Sequence, residues 1–476
     1  MSADEGEILE ALGIGAAALA FGVAWWWGLH RKWKRDYGPI AAYVALTIFL
    51  YLIGSAIAWC ASLLPPINDP MYTTYLGIGG GAYARNYSLY PKAMLWWCAM
   101  ALLVFLSTEC AFIWRVGRKA ASSALAATIF KEPRKMIVDL WAILLLAAAV
   151  AAFASYYGTV GWNSLIWSEG GRFELNGMVV ESAQGVRWFL PTFLTTGCLA
   201  ALLLCLRGNP VTLLCAWILS AVPFVAFASR GLSLLAVAAG VAVVYRFRRY
   251  RRLTVLPVAI GVAVCAWLPL RLREEPNTGL RVLVDVVTGQ TRGTFKSNGW
   301  SDVAILMLQN SGQGFGVFCE VVSRTDGSSR GTVALAPGYI RSSFSPLPSA
   351  LDGFAVKYLN KDPRVNPYTP FSAFAELLVY SPWAFFGIPA LAAMITTGFL
   401  VQPRVPGKVW MVCSLILGLL VINGFVQASQ YAIRTADRYI YAAWMLGAAE
   451  IVCGGVYRVA LGNLRSANRA RASAGI

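Results

Sequence analysis

The chain has 476 residues, 58% of them hydrophobic and 13% charged, against about 45–50% and about 25% in ordinary soluble proteins. With a mean hydropathy of +0.59 and 18 Trp, no single water-soluble core could enclose this much apolar surface. A disordered chain, a disulfide scaffold and a secreted soluble enzyme are excluded, and an all-α polytopic membrane protein is expected.

A spanning helix needs about 20 apolar residues. Runs of that kind fall at about 8–29, 38–64, 94–114, 136–157, 189–208, 211–229, 232–245, 253–270, 382–402, 409–429 and 438–461, which predicts about 11 transmembrane helices. Residues 1–10 are acidic at Asp4, Glu5, Glu7 and Glu10, and the basic cluster follows the first run. That order is the reverse of a signal peptide, so the first run reads as a retained helix with its N-terminus outside.

Alternation from there puts Arg31, Lys32, Lys34 and Arg35 inside, then Arg115, Arg118, Lys119, Lys131, Arg134 and Lys135, then Arg207. Further inside groups are Arg246, Arg248, Arg249, Arg251 and Arg252, then Arg404 and Lys408, then Arg458, Arg465, Arg469 and Arg471. The inside thus holds about 22 of the 40 basic residues, opposed in the loops only by Asp36 and Glu132, while the outside is roughly neutral. The net charge of +17 therefore reports an N-out, C-in orientation and not a nucleic-acid partner.

Three outer segments exceed ordinary turns: about 65–93, about 158–188 and about 271–381. The chain divides accordingly into 1–270 (eight spans with two outer loops), 271–381 (a large outer loop) and 382–476 (three spans and a basic inside tail). Connections longer than about 12–15 residues are uncommon in compact domains, which marks 271–381 as a functional insertion. Within it Leu351, Phe354, Ala355, Tyr358 and Leu359 follow helical spacing after Ser349 as N-cap, and a second short helix is expected over 301–309.

Nine of the 10 cysteines lie in or beside spans, leaving Cys319 alone in the outer loops. No CxxC pair or Cys/His cluster offers a metal site, and no cofactor is expected. The single histidine, His30, flanks the first span on the inside. That leaves no intramembrane His to activate a hydroxyl, and the chain lacks a Walker loop.

Chemistry is left to arginines and carboxylates. Ser229-Arg230-Gly231 stands at the outer end of the sixth span. It reads either as a snorkelling Arg in a helical hairpin or as a fixed cation for a diphosphate, which the planar guanidinium fork suits. Further guanidinium groups occur at Arg271, Arg273, Arg281, Arg292, Arg341 and Arg364, and Arg434 and Arg438 precede the last span. Glu376 sits among apolar neighbours just ahead of the ninth span, as a proton-transfer group or the partner of an Arg. Asp352 and Glu320 are weaker candidates. Glu109, Asp139 and Glu450 fall inside the predicted spans and need a partner or a proton there. Aromatics crowd the outer loops at Tyr72, Tyr75, Tyr83, Tyr87, Tyr90, Trp162, Trp167 and Trp188, as an interfacial belt or as sugar-stacking platforms.

Residues 227–233 (FASRGLS) carry a Ser-Arg-Gly signature at an outer span end, a large outer loop follows, and 370–376 (PFSAFAE) leads through Pro382 to Gly387 into the next span. In these features, over roughly 211–400, the chain resembles the oligosaccharide repeat-unit polymerases, the Wzy-type O-antigen polymerase family. The resemblance implies a multi-pass enzyme of the bacterial inner membrane, with its large loop in the periplasm. It would transfer an undecaprenyl-diphosphate-linked polysaccharide to the non-reducing end of a new lipid-linked repeat unit. It implies Arg230 as a catalytic grip on the diphosphate, helped by Arg271, Arg273 or Arg434, with no metal needed, and Glu376 as general base or Arg-positioner. The partners implied are the lipid-linked oligosaccharide and the bilayer, with a flippase and a chain-length regulator alongside. The related O-antigen ligases are implied to use a His in the large loop, and none is present here. Two other readings stay open. A polyprenyl-phosphate-sugar glycosyltransferase would be expected to carry an acidic pair in the first outer loop, which offers only Asp69. A lipid-linked oligosaccharide transporter or flippase tends to show duplicated halves, and no duplication is visible.

Overall fold

The computed structural model describes residues 3–33, 39–64, 87–119, 279–288, 300–325, 338–345, 369–400 and 408–449, with scattered positions between 143 and 167, between 221 and 277, and at 335–336, 357–358, 364–366 and 451–452. These residues are mostly helical. In chain order the helices are α1 (Ala3–Trp33), α2 (Pro39–Ser62), α3 (Tyr90–Lys119), α4 (Leu280–Thr288), α5 (Trp300–Thr325), α6 (Tyr339–Ser343), α7 (Ala373–Tyr380), α8 (Pro382–Leu400) and α9 (Lys408–Gln430), followed by α10 over 433–449. A two-stranded antiparallel ladder joins Arg364–Asn366 to Thr369–Pro370.

Among the described residues four helical stretches are long and apolar enough to cross a membrane: Glu5–Gly28, Tyr43–Ser62, Tyr87–Ala111 and Pro382–Leu400. Each coincides with an expected span, and α9 and α10 overlap two more. The expected spans at 189–208, 211–229 and 232–245 lie almost wholly outside the described residues. Helices of this length and apolarity in a mostly helical chain mark a membrane protein, and side chains such as Phe21, Leu50, Leu95, Leu103 and Leu391 stand exposed on them, as contact with lipid allows.

The chain divides into two compact units, one of residues 1–131 with 308–476 and one of residues 132–307. In the first unit α1, α2 and α3 pack on one another, α8 packs on α3, and α9 packs on α2. Trp97 is the hub. Its indole is fully buried and donates from Nε1 to the Leu52 carbonyl of α2 at 2.8 Å. Its ring meets Phe315, Phe318 and Phe374 edge-on at centroid distances of 5.6, 5.2 and 5.4 Å. Edge-to-face pairs of this kind add about 0.5–1.5 kcal/mol each beyond area burial.

Residue 300 onward departs from the expectation. In place of a short helix over 301–309, α5 runs 26 residues, and its second half is buried in the first unit through Phe315, Val317, Phe318, Val321 and Val322. Gly312, Gly314 and Gly316 make this possible. A Cβ on Gly312 would stand 2.6 Å from the Trp59 Cβ and 2.7 Å from the Ser55 carbonyl, one on Gly314 would overlap the Ser429 carbonyl, and one on Gly316 would enter the Trp59 indole. The glycines look like a loop in the sequence, yet here they are the face that lets α5 seat against α2 and α9. Tyr51 and Gln430 reinforce that seam, the Gln430 amide donating to the Tyr51 hydroxyl at 2.9 Å. Of the helix expected after Ser349, only 357–358 are described, and Tyr358 is buried.

In the second unit the described core is small. Leu272 and Val282 are buried against Trp167, Val225, Leu268, Leu283 and Val286. Gly279 (φ 115°) passes so close to the Ile166 carbonyl that a side chain there would collide with it.

Candidate functional site

Two helices begin side by side in the first unit. Ser372 caps α7 by accepting from the Ala375 N–H at 3.2 Å, while the Ala373 N–H donates to the Tyr431 carbonyl at 2.7 Å. Glu376, in the first turn of α7, completes the exchange: its Oε2 accepts the Ile433 N–H at the start of α10, at 2.9 Å. Each helix start thus satisfies a backbone N–H with a group from the other's neighbourhood, which answers the need of orphaned N-terminal donors for acceptors. Glu376 is wholly buried, and its second oxygen accepts from the Tyr339 hydroxyl of α6 at 2.8 Å. A carboxylate so placed is stabilised by two helix dipoles and two donors.

Fixing the start of α10 fixes the side chains that follow. Arg434, Asp437 and Tyr441 fall at i, i+3 and i+7 on one stripe of the helix. Arg434 is 6% exposed and donates from Nη1 to the Ser342 carbonyl of α6 at 2.6 Å. Tyr441 donates to the Phe344 carbonyl at 2.7 Å. The Ser342 carbonyl, which also accepts the Ser345 N–H at 3.2 Å, and the Phe344 carbonyl just past the end of α6 are in this way tied to α10. Tyr358 packs edge-on to Tyr339 at 5.3 Å and pairs with the Ser342 hydroxyl at 3.3 Å. Arg341, beside Ser342, and Arg438, one turn past Arg434, are both exposed.

Asp437 stands between the two α6 contacts. Its Oδ2 is buried and has no hydrogen-bond partner among the described residues. Burial pushes its carboxyl up from the ordinary 3.8 to about 8, against the opposing pull of Arg434; the residue lies just ahead of the expected last span at 438–461. Asp437 also lines a cavity of about 50 Å³ whose other walls are apolar, among them Phe344, Phe374, Pro389 and Phe425.

Of the sequence-predicted set, Glu376 and Arg434 meet at this junction, while Arg341 and Arg438 are exposed on α6 and α10. Arg230, Arg271, Arg273 and Asp352 lie outside the described residues. Glu320 is spent on Arg324, one turn along α5, whose Nε donates to Oε1 at 2.9 Å. Arg281 lies over the Trp167 ring at 5.1 Å in the second unit. Glu109 is buried within α3. Tyr90, expected among the outer aromatics, is instead buried in the core, where Trp59 Nε1 donates to its hydroxyl at 3.4 Å. Among the described residues no group of three or more His, Cys, Asp or Glu could hold a metal ion.

Sequence reasoning missed Tyr339, Ser342 and Asp437. For Asp437 a signal was present: an acid between Arg434 and Arg438, at helical spacing from both, in a stretch otherwise apolar.

No family model, characterised protein or solved structure matches this chain.

Proposed function

We propose that the chain is a glycan polymerase acting on lipid-linked substrates at the outer face of a bacterial inner membrane. It transfers an undecaprenyl-diphosphate-linked polysaccharide to the non-reducing end of a new lipid-linked repeat unit. The observation that supports this reading most directly is Arg434, a buried guanidinium fixed by the Ser342 carbonyl, with exposed Arg341 and Arg438 on the same two elements.

The chemistry asks for such an arrangement. As the glycosidic bond to the diphosphate breaks, negative charge grows on the leaving oxygens. Fixed guanidinium groups meet that charge without reorganising, in a site where low dielectric strengthens them. Arg230 is assigned a grip on the diphosphate, Arg271 and Arg273 are assigned the same role by the resemblance, and Arg434 is a further candidate for it within the first unit. Glu376 is assigned a positioning role: with both oxygens engaged and no exposed surface, it holds the start of α10 and so the direction of Arg434. The bilayer supplies the lipid-linked substrate, a flippase delivers it, and a chain-length regulator is the natural companion.

The test is genetic and direct. Cells carrying Arg230→Ala are expected to display single repeat units and no long chains while the protein stays in the membrane. Unaltered chain lengths in that strain would refute the diphosphate role.

A further inference from the structure

In the second unit α4 carries more apolar surface than its core contact uses. Val282, Leu283 and Val286 pack toward Leu268 and Leu272. Val284 and Val287 continue the same apolar arc but stand open, 57% and 74% exposed. The polar residues keep to the remaining edge: Arg281, Asp285 and Thr288 fall at i, i+4 and i+7, on one stripe. A short helix resting on a core in water turns polar residues outward. Here half of the outward side is valine.

The place of α4 in its unit says what meets those valines. Leu268 belongs to the last turn of the expected span at 253–270, and Leu272 follows just past it, so α4 is packed on the end of that span. Farther back the span opens an apolar stripe of its own, with Leu256, Ile260 and Val264 exposed at i, i+4 and i+8, as contact with lipid allows. The segment that follows the expected span at 136–157 arrives at the same level. Gly279, one residue ahead of α4, passes against the Ile166 carbonyl, and the Arg281 guanidinium lies over the Trp167 ring at 5.1 Å. On that segment Trp162 and Ile166 are exposed as well, and the Trp162 ring stacks on Tyr157 at 6.0 Å. Tryptophan at the end of a span is the residue type enriched where lipid headgroups meet water.

We propose that α4 is an interfacial helix whose partner is the lipid surface: Val284 and Val287 enter the boundary between headgroups and acyl chains, while Arg281, Asp285 and Thr288 face the water. Three apolar sectors then find apolar surroundings, one in the core and two in lipid, and the polar stripe stays wet. The Arg281 stem can lie along apolar surface with its guanidinium at the level of the lipid phosphates. A lipid surface fits better than a protein partner because the bare valines sit at the end of a span whose own open stripe is apolar, beside an exposed tryptophan. Seating the second unit in this way requires no substrate, so the proposal holds whether or not the chain polymerises glycans.

The experiment uses the full-length chain in vesicles of phosphatidylethanolamine and phosphatidylglycerol, a trace of the phosphatidylethanolamine being radiolabelled. The photoreactive residue p-benzoylphenylalanine replaces Val284, Val287, Asp285 or Thr288, one at a time. All four positions are open or half-buried, so the bulky ring is accommodated without repacking the core. On illumination the labels at 284 and 287 are expected to take up lipid several-fold more than those at 285 and 288. Equal lipid labelling at all four positions overturns the proposal, since the helix then has no lipid-facing edge. Adducts at 284 and 287 with a second copy of the chain or with another protein, in place of lipid, overturn it in favour of a protein interface. Absence of any adduct at those two positions also overturns it, placing the valines in water.

Discussion

Glu376 caps a helix that begins 57 residues away: its Oε2 accepts the first N–H of α10, at Ile433, over 2.9 Å. The bond ties the first turn of α7 to the start of α10, and a charged acceptor at a helix N-terminus is among the stronger single contacts available. Glu376→Ala would leave Ile433 N–H and Tyr339 O–H buried without this acceptor, at a cost of about 1–3 kcal/mol for each group stranded. The expected result is a drop in the detergent-solution melting temperature and in membrane abundance. Glu376→Gln, which can still accept one of the two bonds, should fall between Ala and wild type.

Asp437 makes stability depend on pH in a defined direction. Its carboxyl holds its proton up to about 8 in the folded chain and releases it near 3.8 when exposed. The folded state therefore binds more protons between those values, and stability falls as pH rises through that window. Asp437→Asn removes the titration, so its melting temperature is expected to gain on wild type steadily from pH 5 to pH 8. A constant gap over that range would contradict the assignment.

Arg434 tests whether fork geometry matters in addition to charge. Arg434→Ala removes the cation and one of the two donors to the Ser342 carbonyl, which keeps the Ser345 N–H, so both stability and chain extension should fall. Arg434→Lys keeps the charge but not the planar donors. It is expected to recover protein amount more fully than chain length, read by immunoblot and by glycan ladder on the same cells.

Glycine positions give a contrast that separates packing from propensity. Gly314→Ala drives a Cβ into the Ser429 carbonyl. Overpacking typically costs about 1–3 kcal/mol, and rigid backbone offers little relief. Gly387, in α8, meets nothing within 4 Å, so Gly387→Ala should hold or slightly raise the melting temperature, since alanine favours helix by up to about 1 kcal/mol.

The sequence makes the spans legible because hydropathy reports contact with lipid, and α2, α3, α8 and α9 begin and end near the expected residues. Glu376 was visible for a related reason, as a lone carboxylate in an apolar stretch. Its partners were not: Tyr339 and the Ile433 N–H come from elements 37 and 57 residues away, and no local pattern encodes that pairing. The extent of α5 was hidden by Gly312, Gly314 and Gly316, which signal a break in isolation and become close-packing positions only once Trp59 and Ser429 are beside them. Asp437 was passed over because its neighbours, Arg434 and Arg438, suggest an ordinary surface ion pair, while the apolar walls that isolate its oxygen belong mainly to other helices.

Tyr51 and Ser429 meet across 378 positions of chain, and the same seam receives the glycine face of α5. At about 5–20 residues per second, a ribosome finishes α2 roughly 17–70 s before it reaches α9. During that interval the first three helices sit in the bilayer with a notch at Trp59 that only later-made segments can fill. Biogenesis of this protein thus contains a waiting period, and whatever shields that notch from a wrong neighbour governs how much of the chain reaches its finished form.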